Sequence, residues 1–326
     1  MRVKNLLFDS STELSQSDAD RLSTGLSSHY VTEVLPPYHG DVPATLNRFV
    51  KNVREVQSKW FKLQNTSPVV AMEIRRSHPD RLRFQFATDN IRVDRSIRNG
   101  LYEEMPDVET REGAGGLPVS PGDTVGGGFL TLGESDWYPL ETDLDRPWVD
   151  GLVSQLHESS MRDTSVLVQI LMQPVAGDRF RRWWWRRQAM SQIRYLRGDK
   201  VSLFPGRDRN AIPREKTQSD LIADKVGSPR FHVSIRVVVI GAGEYTRSRF
   251  KEVSNPFGSL ESDDTGQYFN QQTVKGIREK PFIMFAESVR NREFGGRAFR
   301  FQLSNEELAG LVAVPSIEQE NISYSQ

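Results

Sequence analysis

The segment of the sequence with the strongest chemical signature runs from residue 178 to residue 198. It carries seven arginines and one acidic residue, a local charge of +6 in a chain whose formal net charge is zero. Guanidinium groups pair bidentately with phosphates, and indole rings stack on bases or lie at the boundary of lipid headgroups. The candidate DNA- or partner-contact residues are Arg179, Arg181, Arg182, Trp183, Trp184, Trp185, Arg186 and Arg187.

The same run also fits a purely structural interpretation. On an amphipathic helix the three tryptophans would pack against a sheet, while the arginines would pair with acids from elsewhere in the chain. Residues 134–145 are a suitable source, because they contain five acids and no basic residue. The sequence therefore leaves three alternatives open for the arginine-tryptophan run: internal packing, contact with DNA and contact with a membrane surface.

Two glycine-rich stretches invite comparison with nucleotide-binding motifs. A strand that enters Gly241 and Gly243 resembles the opening of a dinucleotide-binding fold, but Thr246 occupies the position of the third glycine. A strand-to-helix turn is the favoured interpretation, and a nucleotide-binding oxidoreductase is the third-ranked hypothesis. The glycines of residues 105–128 are not followed by Gly-Lys-Ser or Gly-Lys-Thr, a signature that is absent from the whole chain. They predict a flexible loop and no ATP-binding motor. Residues 199–219, which are polar and contain two prolines and a glycine, predict a second long loop.

Residue types that bind metals or act as nucleophiles are scarce. The chain contains no cysteine, which excludes a thiolate zinc site, an iron–sulfur cluster and a cysteine nucleophile. Its five histidines are scattered and no two are four residues apart; they are His29, His39, His78, His157 and His232. We therefore predict no catalytic residue, no bound cofactor and no metal site, and we expect this chain not to be an enzyme.

Length and composition restrict the class of protein. The 326 residues contain 43 Lys and Arg against 43 Asp and Glu, so electrostatic recognition must act through a local patch. The mean hydropathy is −0.54, and the longest apolar run is about half of the ~20 residues that a membrane-spanning helix needs. The N-terminus has no secretory signal pattern. We expect a cytoplasmic protein, or one that lies peripherally at the cytoplasmic face of a membrane.

The elements that must position the arginine-tryptophan run follow a repeated order. A helix that begins near a proline, a strand, a second strand and a further helix occur in residues 43–104 and again in residues 147–254. This succession predicts an α+β fold made of duplicated ferredoxin-like units, each an antiparallel sheet covered by helices. The predicted domains are a flexible lead-in at 1–42, a first unit at 43–146 with the glycine-rich loop 105–128, a second unit at 147–265, and a C-terminal segment at 266–326 with a short helix.

Several segments, taken in order, resemble one protein family. They are Gly128–Leu132 with Trp137–Thr142, Val168–Val175, Lys225 with Phe231–Val237, and Leu303–Leu311 continuing to Val314–Ser316. Together they resemble the N-terminal, non-motor region of the HerA/TraG-like ATPases of archaea and bacteria, which drive conjugation and type IV secretion. In that family the Leu-Ser-x-Glu-Glu-Leu-Ala helix leads into a RecA-like motor.

The resemblance implies a non-catalytic platform domain of a DNA-translocating ATPase. Its implied partners are its own motor domain or a partner ATPase, DNA, a membrane channel complex and further copies of itself in a homo-oligomer. ATP and Mg²⁺ are implied only for the motor, whose binding residues have no counterparts here. The chain stops where the connection to a motor would begin, so we expect a piece of a longer protein or a separately encoded platform. The alternative is a structural or assembly protein of a mobile element or virus that has no motor.

Overall fold

The computed structural model describes residues 9–38, 41–59, 64–78, 81–156, 164–198, 210–294 and 299–325. These residues form an α+β fold built on a large antiparallel sheet. The strands are β1 (Ser11–Glu13), β2 (Tyr30–Leu35), β3 (Ser58–Lys59), β4 (Gln64–Asn65), β5 (Val70–His78), β6 (Arg81–Thr88), β7 (Glu109–Glu112), β8 (Thr124–Leu132), β9 (Ser165–Pro174), β10 (Arg230–Ile240), β11 (Phe269–Thr273) and β12 (Phe301–Ser304).

The helices connect and cover these strands. They are α1 (Gln16–Ser23), α2 (Asn47–Asn52), α3 (Ile91–Glu104), α4 (Val149–Gln155), α5 (Arg179–Arg197), α6 (Pro213–Gly227), α7 (Thr246–Ser254), α8 (Lys280–Arg290) and α9 (Asn305–Leu311). Short 3₁₀ segments at Gly243–Tyr245 and Asn255–Leu260 flank α7. In the described part of the chain, no helix has both the length and the apolar character needed to cross a membrane.

One sheet runs through both halves of the sequence. Its strand order is β1-β8-β10-β9-β5-β6-β2-β7, with β11 also paired to β8 and β12 to β10; β3 and β4 form a separate hairpin. The seam between the halves is the antiparallel pair β5–β9, with a register from Val70 opposite Met172 to Arg76 opposite Val166. Because this pair is hydrogen-bonded like the others, the halves share one continuous sheet.

The sheet buries apolar side chains on both faces. On one face, residues such as Met72, Phe84 and Ile170 form the main core with α2, α3, α4, α7 and α9. On the other face, Leu167 and Val238 belong to a smaller core that includes residues of α1 and α8. Alternation along each strand explains this division, since successive side chains point to opposite faces of a sheet.

The large sheet extends across the predicted domain boundaries. Within the predicted lead-in 1–42, Tyr30–Leu35 forms β2, which lies between β6 and β7. This strand is hard to recognise in the sequence because two of its buried residues, Thr32 and Glu33, are polar. Within the predicted first unit, β8 pairs with β10 and β11 of the second half.

The predicted loops at 105–128 and 199–219 also contain regular structure. The first includes β7 and the start of β8, where three consecutive glycines lie in the strand. A Cβ atom on Gly127, whose φ is +140°, would lie 2.0 Å from the carbonyl oxygen of Val237 on β10. Glycine therefore permits the close approach of two strands here. In the second predicted loop, α6 begins at Pro213, while residues 199–209 lie outside the described residues.

The arginine-tryptophan run lies in a helical arm, α5 with α6, inserted between β9 and β10. The side chain of Asp178 caps α5 by accepting a hydrogen bond from the backbone N–H of Arg181 at 3.2 Å. A buried stripe along α5 packs with Ile222 of α6; its residues are Trp185, Ala189, Ile193 and Leu196. This spacing orients the other faces of α5 towards solvent.

Candidate nucleic-acid interface

The first half of α5 exposes an aromatic surface. Phe180, Trp183 and Trp184 are 70%, 50% and 49% exposed. Their rings are neighbours, with centroids 5.9 Å apart for Phe180 and Trp183 and 6.3 Å apart for Trp183 and Trp184. Large apolar side chains grouped in this way on a surface mark interaction sites more often than isolated ones do.

Trp185 has a different environment from its two neighbours. It is only 7% exposed, and its indole N–H donates to Asp136 Oδ1 at 2.6 Å. The guanidinium of Arg230 lies over its ring at 3.6 Å from the centroid, a cation–π arrangement. The structural interpretation of the tryptophans thus holds for Trp185, which packs inward and bonds to an acid of residues 134–145.

The arginines around these aromatic rings are largely free of acidic partners. Arg181 pairs with Asp178 at 2.8 Å, and Arg187 lies over the ring of Trp183 at 5.3 Å. Among the described residues, no ion pair joins Arg179, Arg182, Arg186 or Arg187 to a carboxylate. The expected pairing with the acids of residues 134–145 is therefore not formed, and these guanidinium groups remain available to an anion.

A small polar cavity of about 390 Å³ opens beside the first turn of α5. Its walls include Arg181 and Arg182 of α5, His232 of β10 and Arg300. Burial, together with the nearby charges of Arg300, Arg230 and Arg181, lowers the pKa of His232 to about 3, against an opposing effect of Asp178. The imidazole is therefore uncharged at neutral pH, and the positive charge of this cavity comes from arginines.

The buried environment of His232 predicts that the free energy of unfolding decreases in acid. The unfolded chain protonates His232 below about pH 6.5 whereas the folded chain does not, so the stabilising contribution is complete above about pH 6.5 and is lost as the pH falls. We expect the free energy of unfolding to fall by roughly 2 kcal/mol from this residue between about pH 6.5 and 4.5. Urea unfolding at both pH values should show a smaller fall in the free energy of unfolding for His232→Gln. An equal fall in the two proteins would show that His232 does not cause the acid sensitivity.

The glycine motif at Gly241 and Gly243 makes hydrogen bonds within the chain. Gly241 and Gly243 have positive φ angles of 82° and 53°, as expected for the strand-to-helix turn. The backbone N–H of Gly243 donates to Thr124 Oγ1 at 2.8 Å, and its carbonyl accepts from Ser11 and Thr246. Within the described ranges, no group of three or more histidine and acidic side chains is placed to hold a metal ion.

Sequence reasoning missed the contributions of β10 and β12 to this surface. Arg230 and His232 begin β10, and Gln302 lies in β12, which pairs with the start of β10. The sequence did offer one signal, because the polar residues Arg230 and His232 stand at the start of a predicted strand that is otherwise mostly apolar. The distance of more than 100 residues between Arg181 and Gln302 left no local pattern that links them.

Comparisons with known proteins give one family match. A family model described as "Domain of unknown function (DUF8128)" matches residues 5–326. No curated protein sequence matches the chain.

Proposed function

We propose that this chain, which belongs to the DUF8128 family, is a non-catalytic platform that contacts DNA through the first half of α5. The observation that carries the proposal is the joint exposure of Trp183 and Trp184 beside Arg182, Arg186 and Arg187, which have no carboxylate partner in the described residues. Arginine supplies bidentate contacts to phosphates, and exposed aromatic rings supply stacking surfaces for bases. A membrane surface also offers phosphates and an interface at which indole rings lie, and DNA adds bases on which the exposed rings can stack.

A platform role is supported by the architecture of the sheet, which we interpret as two ferredoxin-like units. With the hairpin β3–β4, the arm α5–α6 and the short 3₁₀ segments as insertions, the order strand–helix–strand–strand–helix–strand occurs as β2-α2-β5-β6-α3-β7 and as β8-α4-β9-β10-α7-β11. In each set the fourth strand lies beside the first, the first beside the third, and the third beside the second. The second strands of the two sets, β5 and β9, pair at the seam.

The resemblance to HerA/TraG-like ATPases suggests the setting of this platform. We propose that it serves a conjugation-type DNA-translocating ATPase, either as part of the same protein or as its partner, in a homo-oligomer at the cytoplasmic face of a membrane channel. ATP and Mg²⁺ would bind to the motor. The α5–α6 arm projects from the sheet at the β9–β10 connection, so it can contact DNA while other surfaces contact the motor.

The proposal predicts that DNA binding depends on the arginines of α5. Changing Arg181, Arg182, Arg186 and Arg187 together to Gln should lower the affinity by roughly 10²–10³-fold at about 0.1 M salt, because each lost phosphate contact also removes counterion release. The slope of log affinity against log salt should fall by about 3 to 4. Fluorescence anisotropy of a labelled oligonucleotide over a salt series measures both quantities.

A matched control variant removes four positive charges from two other helices. Arg92 and Arg95 on α3 and Arg247 and Lys251 on α7 are also exposed, and changing all four to Gln should leave the affinity within a fewfold of the unchanged protein. Equal losses in both variants would indicate a general charge effect and contradict the proposal. Self-association without DNA binding would favour the alternative, a structural or assembly protein.

A further inference from the structure

Two neighbouring cavities at the start of α5 differ in chemical character. One is the polar cavity beside Arg182 and His232, and the other is an aromatic cavity of about 590 Å³ that also borders Arg181. The aromatic cavity is lined by Trp137, Phe180, Arg181, Trp184, Trp185, Gln188 and Gln302. Arg181 and Gln302 line both cavities, so the two adjoin at these side chains.

From this juxtaposition we propose that the two cavities bind one nucleotide of single-stranded DNA, the base in the aromatic cavity and the phosphate in the polar one. The inference rests on the proposed function and specifies the form of DNA that the same surface recognises. Both volumes lie in or near the range of ~300–1,000 Å³ that is usual for small-molecule sites.

The aromatic cavity has the features that a stacked base requires. The rings of Phe180 and Trp184 are inclined by only 19°, with centroids 6.5 Å apart, so their faces are nearly parallel. A planar base gains stacking energy on such a face whatever its sequence identity. The amide side chains of Gln188 and Gln302 add hydrogen-bonding groups to walls that are otherwise aromatic.

The polar cavity has the features that a phosphate requires. Its cationic walls are Arg181, Arg182 and Arg300, and its acids are already engaged by donors of the chain. Asp136 accepts from the indole of Trp185 and from the backbone N–H of Gln302. Asp178 accepts from the backbone and the side chain of Arg181. Three arginines and two aspartates line this cavity, so its net charge towards an incoming anion is positive.

The geometry favours a single strand over a duplex. A base can enter the aromatic cavity only after it leaves the stack of a double helix, which costs a few kcal/mol per base. The exposed ring of Trp183, with Arg187 above it, offers the next base a second surface beside the first. A single strand can therefore follow the first two turns of α5 with its bases towards the protein.

The test compares three probes of similar phosphate number: a dT 10-mer, an abasic 10-mer and a short duplex. The unchanged protein should bind the dT 10-mer about tenfold more tightly than the other two. Trp184→Ala should remove most of that advantage and leave affinity for the duplex within about twofold. Tyr245→Ala, at an exposed aromatic residue 63% exposed, is the control and should change nothing. Circular dichroism verifies that each variant is folded.

The outcomes separate this inference from the proposed function. Arginine-dependent binding of all three probes with equal affinity, or an equal loss of all three in Trp184→Ala, would overturn the nucleotide site and leave the DNA surface in place. Absence of binding to every probe would overturn both proposals. Binding to anionic lipid vesicles alone would assign the surface to a membrane and also overturn both.

Discussion

Replacing Glu73 with Gln is expected to lower the free energy of unfolding by about 3–5 kcal/mol, the usual cost of breaking a buried ion pair. Glu73 is buried in β5, at the seam between the two halves of the sheet. Arg292 donates to both of its carboxylate oxygens, at 2.8 and 3.1 Å. The side-chain amides of Gln85 and Gln169 donate to it at 2.6 and 2.7 Å. The neutral variant would leave the charge of Arg292 buried and uncompensated.

Through Arg292, the carboxylate of Glu73 also joins the segment that follows α8 to the sheet. It lies in a row of polar residues that are opposite one another on six adjacent strands, namely Arg111, Glu33, Gln85, Glu73, Gln169 and Arg236. Arg292 has a positive φ of 55° just beyond α8, an unusual conformation for a residue with a side chain. Glu73 therefore holds a strained residue in place and, through it, the end of α8.

The stability provided by Glu73 also depends on pH. Burial by itself would raise the pKa of Glu73, but the charges of Arg292 and Arg75 outweigh this effect and lower it from 4.5 to about 2. The contribution is therefore complete above about pH 4.5 and is lost as the pH falls towards about 2. The two ranges overlap between about pH 4.5 and 3, but only His232 acts between about pH 6.5 and 4.5, so its effect can be measured separately there.

Denaturant unfolding at neutral pH measures the effect of Glu73→Gln. Glu109→Gln, at an exposed residue of the edge strand β7, is the matched control and should change stability by less than about 0.5 kcal/mol. A loss below about 1 kcal/mol in Glu73→Gln would show that the buried network contributes little.

The second large effect is expected at the buried pair of Lys225 and Glu307, which fixes the helical arm to the sheet. Lys225 Nζ on α6 lies 2.8 Å from Glu307 Oε1 on α9, and both side chains are almost completely buried. Glu307 also accepts hydrogen bonds from the backbone N–H groups of Leu140 and Ser304, at 2.9 and 2.7 Å. Either Lys225→Met or Glu307→Gln should cost about 3–5 kcal/mol, since each leaves a buried charge unpaired.

A double-mutant cycle tests whether the two residues act as a pair. The variant with both changes should be more stable than the sum of the single effects predicts, by at least about 1 kcal/mol. Hydrogen exchange in α5 and α6 should increase in each single variant, because the arm loses its main polar contact with α9. Glu306→Gln, at an exposed neighbour, serves as the control. Strictly additive losses would contradict the pairing.

Much of the fold could be predicted because its strands follow simple patterns. The hairpin β5–β6 and the strands β9 and β10 alternate or are continuously apolar. The short helix predicted within 266–326 is α9, which begins with a capping box of Ser304 and Glu307. β2 was missed because it contributes the polar residue Glu33 to a buried network that forms only between distant segments. β7 was missed because it is a short edge strand of polar, largely exposed residues such as Arg111. The glycines of β8 were assigned to a loop, since close packing of strands leaves no local signal.

The sequence singled out the arginine-tryptophan run but did not show which of its tryptophans face the core and which face solvent. Three consecutive residues of an α-helix span about 200° around its axis, so Trp183, Trp184 and Trp185 cannot all face the same core. The structure buries Trp185 and exposes the other two. Which of them faces inward depends on the partner Asp136 and on the packing of α6, and neither is evident from the run itself.

The most direct test of the central claim is to locate bound DNA on the protein surface. A single-stranded oligonucleotide that contains 5-bromodeoxyuridine can be photo-crosslinked to the protein, and the modified peptide identified by mass spectrometry. The account predicts crosslinks at Trp183 or Trp184, with competition by unmodified strand and loss of the crosslinks in the variant that lacks the four α5 arginines. Crosslinks confined to other elements, with none on α5, would contradict it.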